Sequence, residues 1–313
     1  MEVNVIIPSY RPDERFLKLL DMLLRQTRQV SRIIVMNTEK KYLDRLLDRE
    51  TLSARYPILE VHDLPKREFD HGGTRNAAAA MCTGEIFVCM TQDAMPEDER
   101  LIEELTDALM EREDIVAAYA RQLAEEDDSE IERFIRGFNY PEESCIKGKE
   151  QLESLGIKTF FCSNVCAAYK KKDFDALGGF VEHTIFNEDM IYAAGAVLAG
   201  KKIAYAARAR VRHSHDYTCM QQFHRNFDNG VSQADHPELF AGISSESEGM
   251  RMVKKTAAHL WKSGKPWLIG KLAADSAAKY LGFWLGRHYR RLPRRMILMC
   301  SKSREYWEKR FSD

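Results

Sequence analysis

Two acidic residues and two histidines lie at the ends of predicted strands and helices. Asp93 follows the apolar run that ends at Met90, and Asp189 stands in Asn187-Glu188-Asp189 at the start of a helical pattern. His213 and His215, spaced i, i+2, lie on one face of a strand end. Carboxylate oxygens suit hard divalent cations, and one carboxylate can act as a general base. Turn capping, helix capping and exposed loop histidines are the structural alternatives.

A second group of residues could bind an anion. Gly72, Gly73 and Thr74 precede Arg75 and an alanine-rich helical pattern. The N–H groups at a helix start and the positive end of the helix dipole attract phosphate, and Arg75 adds a guanidinium with bidentate geometry. The alternative is an ordinary N-cap at Thr74. The segment is therefore either a diphosphate site or a helix cap.

Alternating strand and helix patterns must position these residues. We predict strands over 3–7, 33–36, 58–61, 85–91, 115–120, 165–170 and 202–211. We predict helices over 14–25, 40–55, 74–82, 98–112, 173–177 and 188–199, and again beyond residue 216. Strands separated by helices indicate βαβ units and a largely parallel sheet. From residue 249 onward the chain reads as helical.

Several classes of α/β protein are excluded by the loop after the first strand. That loop reads Pro8-Ser9-Tyr10-Arg11-Pro12, which is not the Gly-x-Gly-x-x-Gly of dinucleotide-binding proteins. The chain also lacks the Gly-x-x-x-x-Gly-Lys-Ser/Thr of P-loop nucleotidases. Its seven cysteines include no Cys-x-x-Cys pair. We therefore predict buried, reduced thiols and no zinc site.

Four clusters, taken in order, resemble the motifs of glycosyltransferase family 2. They are Ile6-Ile7-Pro8-Ser9-Tyr10, His71-Gly72-Gly73-Thr74-Arg75-Asn76-Ala77, Met90-Thr91-Gln92-Asp93-Ala94 and Asn187-Glu188-Asp189. In the third cluster the family usually has Asp-x-Asp, a carboxylate pair that holds Mg²⁺ or Mn²⁺ against the donor diphosphate. Here only Asp93 is kept, and Thr91 replaces the first acid. The form Thr-Gln-Asp-Ala resembles rhamnosyltransferases that use dTDP-rhamnose.

The resemblance implies a GT-A fold, which is an α/β fold with a Rossmann-like mixed sheet, and it assigns residue roles. In an inverting transfer one carboxylate takes the proton of the acceptor hydroxyl, and the family's Glu-Asp motif makes Asp189 that base. The residues implied to bind the nucleotide-sugar donor are Pro8, Ser9, Tyr10, Asn37, Arg75, Gln92 and Asp93. The residues implied to bind Mg²⁺ or Mn²⁺ are Asp93, His213 and His215.

The acceptor side carries a weaker resemblance. Gln222 and Arg225 fit the Gln-x-x-Arg-Trp motif of processive family members, but Asn226 stands where the tryptophan would be. This difference argues against processive polymerisation. We assign Glu188, Gln222 and Arg225 to the acceptor or to other supporting roles.

The end of the chain differs in charge from the rest. Lys254 to Asp313 holds 15 Lys and Arg against 4 acids, although the whole chain has a net charge of −1. Residues 266–299 combine aromatic and basic side chains, a composition typical of a helix at a membrane interface; a helix packed on the catalytic domain is the alternative. We therefore divide the chain into a GT-A catalytic domain, 1–235, and a basic helical region, 236–313.

These observations predict an inverting glycosyltransferase that moves rhamnose from dTDP-rhamnose to a lipid-linked or growing cell-surface polysaccharide. Without a signal peptide or a membrane-spanning run, we expect a cytoplasmic protein with peripheral contact at the inner face of the cell membrane. No nucleic-acid recognition module is found. Two alternatives are a non-catalytic sugar- or lipid-binding scaffold on the same fold and a sugar nucleotidyltransferase.

Overall fold

The computed structural model describes residues 1–240, 242 and 246–312, and these form two compact units. The sheet unit comprises Met1–Leu123, Tyr140–Glu182 and Glu188–His213, and the helical unit comprises Ala124–Asn139, His183–Asn187 and Ser214–Asp313. The predicted boundary at residue 235 differs, because the helix that spans 219–235 belongs to the helical unit.

The described strands of the sheet unit form one nine-stranded sheet. They are β1 (Val3–Tyr10), β2 (Arg32–Thr38), β3 (Leu59–Leu64), β4 (Ile86–Met90), β5 (Met95–Pro96), β6 (Ile115–Leu123), β7 (Cys145–Lys147), β8 (Cys166–Lys170) and β9 (Lys202–Arg212). Their order is β3-β2-β1-β4-β8-β6-β9-β5, and β7 pairs with β9. The sheet is mixed, because β8 runs antiparallel between β4 and β6.

The central strands bring one group of loops to a common edge. β1, β2 and β4 are almost wholly buried apolar runs, as strands covered on both faces require. Their parallel register pairs Ile6 with Ile34 on one side and with Cys89 on the other. The carboxyl ends of the three strands therefore lie side by side, and this is where open α/β sheets bind ligands.

Eight helices of the sheet unit are described. They are α1 (Glu14–Leu24), α2 (Lys40–Leu46), α3 (Arg49–Arg55), α4 (His71–Met81), α5 (Leu101–Met110), α7 (Leu152–Leu155), α8 (Lys171–Ala176) and α9 (Glu188–Leu198). The single helix predicted over 40–55 is wrong. Leu47 is extended, and the Asp48 side chain accepts from the Thr51 N–H, so a new helix begins there.

The helical unit contains α6 and the helices after residue 213. They are α6 (Glu130–Asn139), α10 (Cys219–Asp235), α11 (Pro237–Phe240), α12 (Glu246–Lys262), α13 (Leu268–Arg287), α14 (Arg294–Cys300) and α15 (Arg304–Ser312). One core joins Ile185, Phe227, Ile297 and Trp307. Within the described residues, no helix has both the length and the hydropathy needed to cross a bilayer.

Glycines let α10 and α13 meet backbone to backbone. A Cβ atom at Gly286 would overlap the carbonyl oxygen of Phe227, and one at Gly282 would overlap that of Phe223. Gly230 of α10 makes the same kind of contact with the carbonyl oxygen of Phe283. This contact explains why α10 belongs with α13 rather than with the sheet.

We expect Gly286→Ala to lower the free energy of unfolding by about 1–3 kcal/mol, because the added methyl group overpacks this contact. Gly270→Ala on the same helix is the matched control, since nothing lies within 4 Å of its added Cβ. Alanine is the better helix former by about 1 kcal/mol, so the control is neutral or stabilising. Urea unfolding of both variants measures this; equal effects would contradict the packing explanation.

The described thiols form no disulfide. Five are buried, but Cys145 and Cys219 are exposed, so the prediction that all seven are buried is wrong for these two. Cys219 is the first residue of α10 and donates to the Asp275 carboxylate, at 2.7 Å.

Candidate active site

Buried polar atoms without partners gather at the carboxyl ends of the central strands. Ser9 and Asn37 lie opposite each other in the β1–β2 register. Thr38 is the last residue of β2 and Thr91 directly follows β4, so both lie at the same edge of the sheet. In the described part of the chain, Ser9 Oγ, Asn37 Oδ1, Thr38 Oγ1 and Thr91 Oγ1 make no hydrogen bond. Leaving such an atom unsatisfied costs about 1–3 kcal/mol. The edge is therefore suited to the polar groups of a ligand.

The Asn37 side chain is held in one orientation. Its amide nitrogen donates to Asp63 at 2.6 Å, and Arg49 donates to the same carboxylate at 2.8 Å. With the nitrogen engaged, Asn37 Oδ1 is left to accept a hydrogen bond. Asp63 and Arg49 therefore support a predicted donor-binding residue, although the sequence analysis did not select them.

The Gln92 amide joins the ends of β1 and β4. It accepts from the Tyr10 N–H at 2.9 Å and donates to the Tyr10 carbonyl oxygen at 3.0 Å. Gln92 is predicted above to contact the donor, whereas its amide is used to fix the loop that carries Pro8, Ser9 and Tyr10. Both of its polar atoms are engaged within the protein, and its contact with the donor stays a prediction.

An open cavity lies after the end of β1. Arg11, Pro12, Tyr42, Arg45 and Leu46 line its volume of about 610 Å³. The Arg11 guanidinium lies 5.1 Å from the ring centre of Tyr10 and 5.0 Å from that of Tyr42. The cavity therefore presents aromatic and cationic groups.

Asp93 and His213 form a candidate cation site. Asp93 follows β4, His213 follows β9, and the His213 Nε2 atom lies 3.6 Å from Asp93 Oδ1. Gln122 Oε1 lies 3.2 Å from His213 Nδ1, and because an amide oxygen only accepts, this contact favours the tautomer with the proton on Nδ1 and the lone pair on Nε2. His215 follows two residues later in the chain, in the helical unit. A carboxylate oxygen and an imidazole nitrogen in this arrangement fit a divalent cation.

Asp189 lies at the start of α9 with a fixed carboxylate. It accepts from the Asn164 N–H at 2.8 Å and from the Met190 N–H at 2.7 Å. Burial and, to a smaller extent, the negative charge of Glu188 raise the pKa of Asp189 to about 7. The hydrogen bonds from these two N–H groups oppose this rise. The side chain stays partly exposed. This is the pKa range of an effective general base.

Arg75 and Glu188 form a buried ion pair. Arg75 Nη1 lies 3.2 Å from Glu188 Oε1, and the two side chains are only 7% and 6% exposed. Asn164 also donates to Glu188, at 3.0 Å. Burial opposes ionisation of Glu188, but Arg75, His71 and the hydrogen bond from Asn164 together outweigh it and hold the pKa of Glu188 below its ordinary value.

This pair bears on two predicted roles, which stay predictions. Arg75 is predicted to bind the donor diphosphate and Glu188 to serve the acceptor, but each neutralises the other inside the protein. Their charges act on Asp189, the residue that follows Glu188. Arg75 opposes the rise in the Asp189 pKa, and Glu188 increases it.

The helix start predicted at Thr74 is wrong. The helix begins at His71, and the Asp70 carboxylate caps it by accepting from the Gly73 N–H at 2.6 Å. Gly72 serves close packing, because a Cβ there would overlap the carbonyl oxygen of Val181. The Asp70 carboxylate already supplies a negative group at this helix start, and anion binding there stays a prediction.

The predicted acceptor residues Gln222 and Arg225 lie on α10 of the helical unit. The Arg225 guanidinium lies 4.7 Å from the ring centre of Phe186 and 5.7 Å from that of Tyr217. The Gln222 carbonyl oxygen accepts from Asn226, so Asn226 supports the helix where a processive enzyme has tryptophan. Their role toward an acceptor stays a prediction.

Asn164 and Gln122 are two further site residues that the sequence did not predict. Asn164 holds both Glu188 and Asp189, and Gln122 orients His213. Neither belongs to a motif. The antiparallel β8 brings Asn164 to the site, and this pairing leaves no periodic signal in the sequence. For Gln122, the only signal in the sequence was its place as a polar residue near the end of the buried strand β6.

Comparisons with known proteins identify the family of this chain. The family model described as glycosyl transferase family 2 matches residues 4–178. The O-antigen chain rhamnosyltransferase WbaN of Salmonella anatum is 38% identical over 309 residues, which cover 97% of this chain and 95% of that protein. RfbN of Salmonella typhimurium, with the same description, is 36% identical over 315 residues, covering 98% and 96%.

Solved structures are similar in fold at low identity. The mannosyltransferase PcManGT from Pyrobaculum calidifontis, in complex with GDP-Man and Mn²⁺, has a TM-score of 0.56 at 14% identity, covering 98% of this chain and 85% of that one. TarS 1-349 of S. aureus, in complex with UDP-GlcNAc, has a TM-score of 0.51 at 15% identity, covering 92% of each chain. The fold is that of a GT-A glycosyltransferase, as predicted. The chain belongs to glycosyltransferase family 2 and is a glycosyltransferase.

Proposed function

We propose that this enzyme is an inverting rhamnosyltransferase that moves rhamnose from dTDP-rhamnose to a lipid-linked or growing cell-surface O-antigen polysaccharide. The reaction type rests on Asp189, the fixed and partly exposed carboxylate with a raised pKa. The sugar and the acceptor rest on two relatives, both named O-antigen chain rhamnosyltransferases, that match over nearly the full chain. A lipid-linked acceptor implies a cytoplasmic enzyme working at the inner face of the cell membrane.

In this proposal Asp189 acts on the acceptor. Its carboxylate takes the proton of the acceptor hydroxyl while the hydroxyl oxygen forms a bond to the anomeric carbon of the donor sugar. The bond from that carbon to the diphosphate oxygen breaks, and the nucleoside diphosphate leaves with the electron pair. Attack opposite the leaving group inverts the configuration. The N–H groups of Asn164 and Met190 hold the base in place.

The donor would lie along the carboxyl edge of β1, β2 and β4. The orphaned oxygens of Ser9, Asn37, Thr38 and Thr91 would gain partners from its polar groups. Tyr10 offers an aromatic face beside them. The ring and the polar atoms together suit a nucleotide, which has both stacking and hydrogen-bonding groups.

A divalent cation would be held by Asp93 and His213. When bound, it neutralises charge on the diphosphate and so improves the leaving group. Because the donor set includes imidazole, we favour Mn²⁺ over Mg²⁺. The PcManGT complex contains Mn²⁺ with its own donor.

We expect Asp93→Ala to weaken donor binding at least about tenfold in the presence of Mn²⁺, because a ligand of the bridging cation is lost. In EDTA the variant and the wild type should bind alike. Calorimetry with dTDP-rhamnose measures both conditions. Glu97→Gln, which removes a nearby carboxylate paired with Arg212, is the control and should bind normally. Wild-type binding that is equally tight in EDTA would contradict the cation site.

The proposed base predicts how activity depends on pH. Below its pKa, Asp189 is protonated and cannot accept a proton, so kcat/KM should rise about tenfold per pH unit until it levels near pH 7. Glu188→Gln should move this limb to lower pH, because the neighbouring negative charge is gone. The exposed Glu182→Gln serves as the control. A limb that stays in place in Glu188→Gln would argue against Asp189 as the titrating group.

A donor screen tests the function itself. Purified enzyme is incubated with membranes that carry lipid-linked saccharide, and nucleotide release is measured with dTDP-rhamnose, UDP-sugars and GDP-sugars. We expect release only with dTDP-rhamnose, together with a labelled lipid-linked product. Release with another donor would overturn the sugar assignment. Binding of donor without any product would favour the scaffold alternative.

A further inference from the structure

The solvent-facing side of α13 is apolar along its whole length. The residues that form it recur every three or four positions and begin just before the helix; they include Trp267, Ala273, Ala277, Tyr280, Leu281 and Trp284. All six are exposed, with Trp267 at 71% and Trp284 at 46%. We call this surface the α13 face.

The opposite side of α13 is covered by protein. It packs on α10 through Gly282 and Gly286 and buries Leu272 and Asp275. Lone apolar residues on a surface need no explanation, but a continuous helical stripe marks an interaction surface.

The segment that carries the α13 face is strongly basic. Between residues 261 and 303 the chain has ten lysines and arginines and one acid, Asp275. Lys271 pairs with the buried Asp275 and with the exposed Asp216. Lys262, Arg287 and Arg291 are exposed. Basic residues near an anionic membrane surface are attracted to it.

We propose that the α13 face docks on an anionic bilayer, with its tryptophans and Leu281 in the headgroup region and its basic border against lipid phosphates. Tryptophan and tyrosine suit that depth because one end of each ring system is apolar and the other is polar. A helix with this composition lies in the interface plane rather than crossing it. A second copy of the chain is the poorer occupant, because the basic borders of two copies would repel each other.

This inference rests on the proposed location at the membrane, but not on the proposed donor or base. Vesicle binding needs neither, so a wrong sugar assignment would leave the docking result intact. Failure of docking would likewise leave the donor screen unaffected.

The test is co-sedimentation of the full chain with phosphatidylcholine vesicles that contain phosphatidylglycerol. We expect binding at about 0.1 M salt that weakens, but does not vanish, near 1 M, where screening shortens to about 3 Å. Binding should shift the tryptophan emission to the blue, since Trp261, Trp267 and Trp284 are exposed and only Trp307 is buried. Vesicles of phosphatidylcholine alone should bind less.

Ala277→Glu places a charge in the middle of the α13 face and should weaken vesicle binding at least about tenfold. Ala54→Glu, on the exposed side of α3, makes the same change elsewhere and should bind like the wild type. Thermal unfolding establishes that both variants are folded. Equal binding by the two variants, or no wild-type binding at low salt, would overturn the proposal. So would self-association of the wild type that Ala277→Glu abolishes without any change in vesicle binding.

Discussion

Asp189→Asn is expected to abolish transfer while the donor still binds. The substitution keeps the shape of the side chain but removes its charge and its basicity. A general base is commonly worth about 10²–10⁴-fold, so turnover should fall by that factor. Transfer is measured as product formed under saturating donor, and donor affinity is measured by calorimetry on the same protein.

A matched control tests whether the loss of turnover is specific to Asp189. Asp175→Asn changes an exposed carboxylate on α8, where it pairs with Lys171, and should leave turnover unchanged. Retention of more than about a tenth of the wild-type turnover by Asp189→Asn would remove Asp189 from the role of base.

Arg75→Met should cost about 3–5 kcal/mol of unfolding free energy, because it leaves Glu188 buried without its cation. Arg112→Met is the control. Arg112 forms an ion pair with Asp114 in which both side chains are about a third to a half exposed, and such pairs are worth no more than about 1 kcal/mol. Chemical denaturation of both variants gives the comparison. A small effect at Arg75 would mean that the buried pair does not hold this region together.

The double variant Arg75→Met with Glu188→Gln separates charge from packing. Removing both charges should recover part of the lost stability, because no buried carboxylate remains unpaired. The pH profile supplies a second readout. Since Arg75 lowers and Glu188 raises the pKa of Asp189, Arg75→Met should move the acid limb of kcat/KM upward, the reverse of Glu188→Gln. Shifts in the same direction would contradict the coupling.

The strands of the sheet could be predicted because burial on both faces leaves long β-branched and apolar runs. β1, β2 and β4 are such runs, and the predicted strands lie close to the observed ones. The three-residue β7 and the antiparallel direction of β8 could not be predicted, because neither affects local composition. The break at Asp48 was missed because the amphipathic pattern continues through it.

The candidate site was predictable only where a residue belongs to a family motif. Asp93, Asp189 and His213 were selected in that way. The mutual pairing of Arg75 and Glu188 was not, because 113 positions separate them in the chain and each also suits a role toward substrate. A charged residue in a motif can bind a ligand, or it can neutralise another charge within the protein. Only the burial of its side chain distinguishes these two roles.

The backbone contact between α10 and α13 limits how this chain can be shortened. A version that stops near residue 249 would keep α10 but remove the helix that covers Phe227 and Gly230. If this version were insoluble, the cause would be the uncovered core, and the result would not test lipid binding. The smallest fragment that keeps this contact must extend through Arg287, the last residue of α13. A fragment that also keeps Trp307 in the core must include α15. Dissecting the end of the chain therefore requires point substitutions on its outer surface rather than deletions.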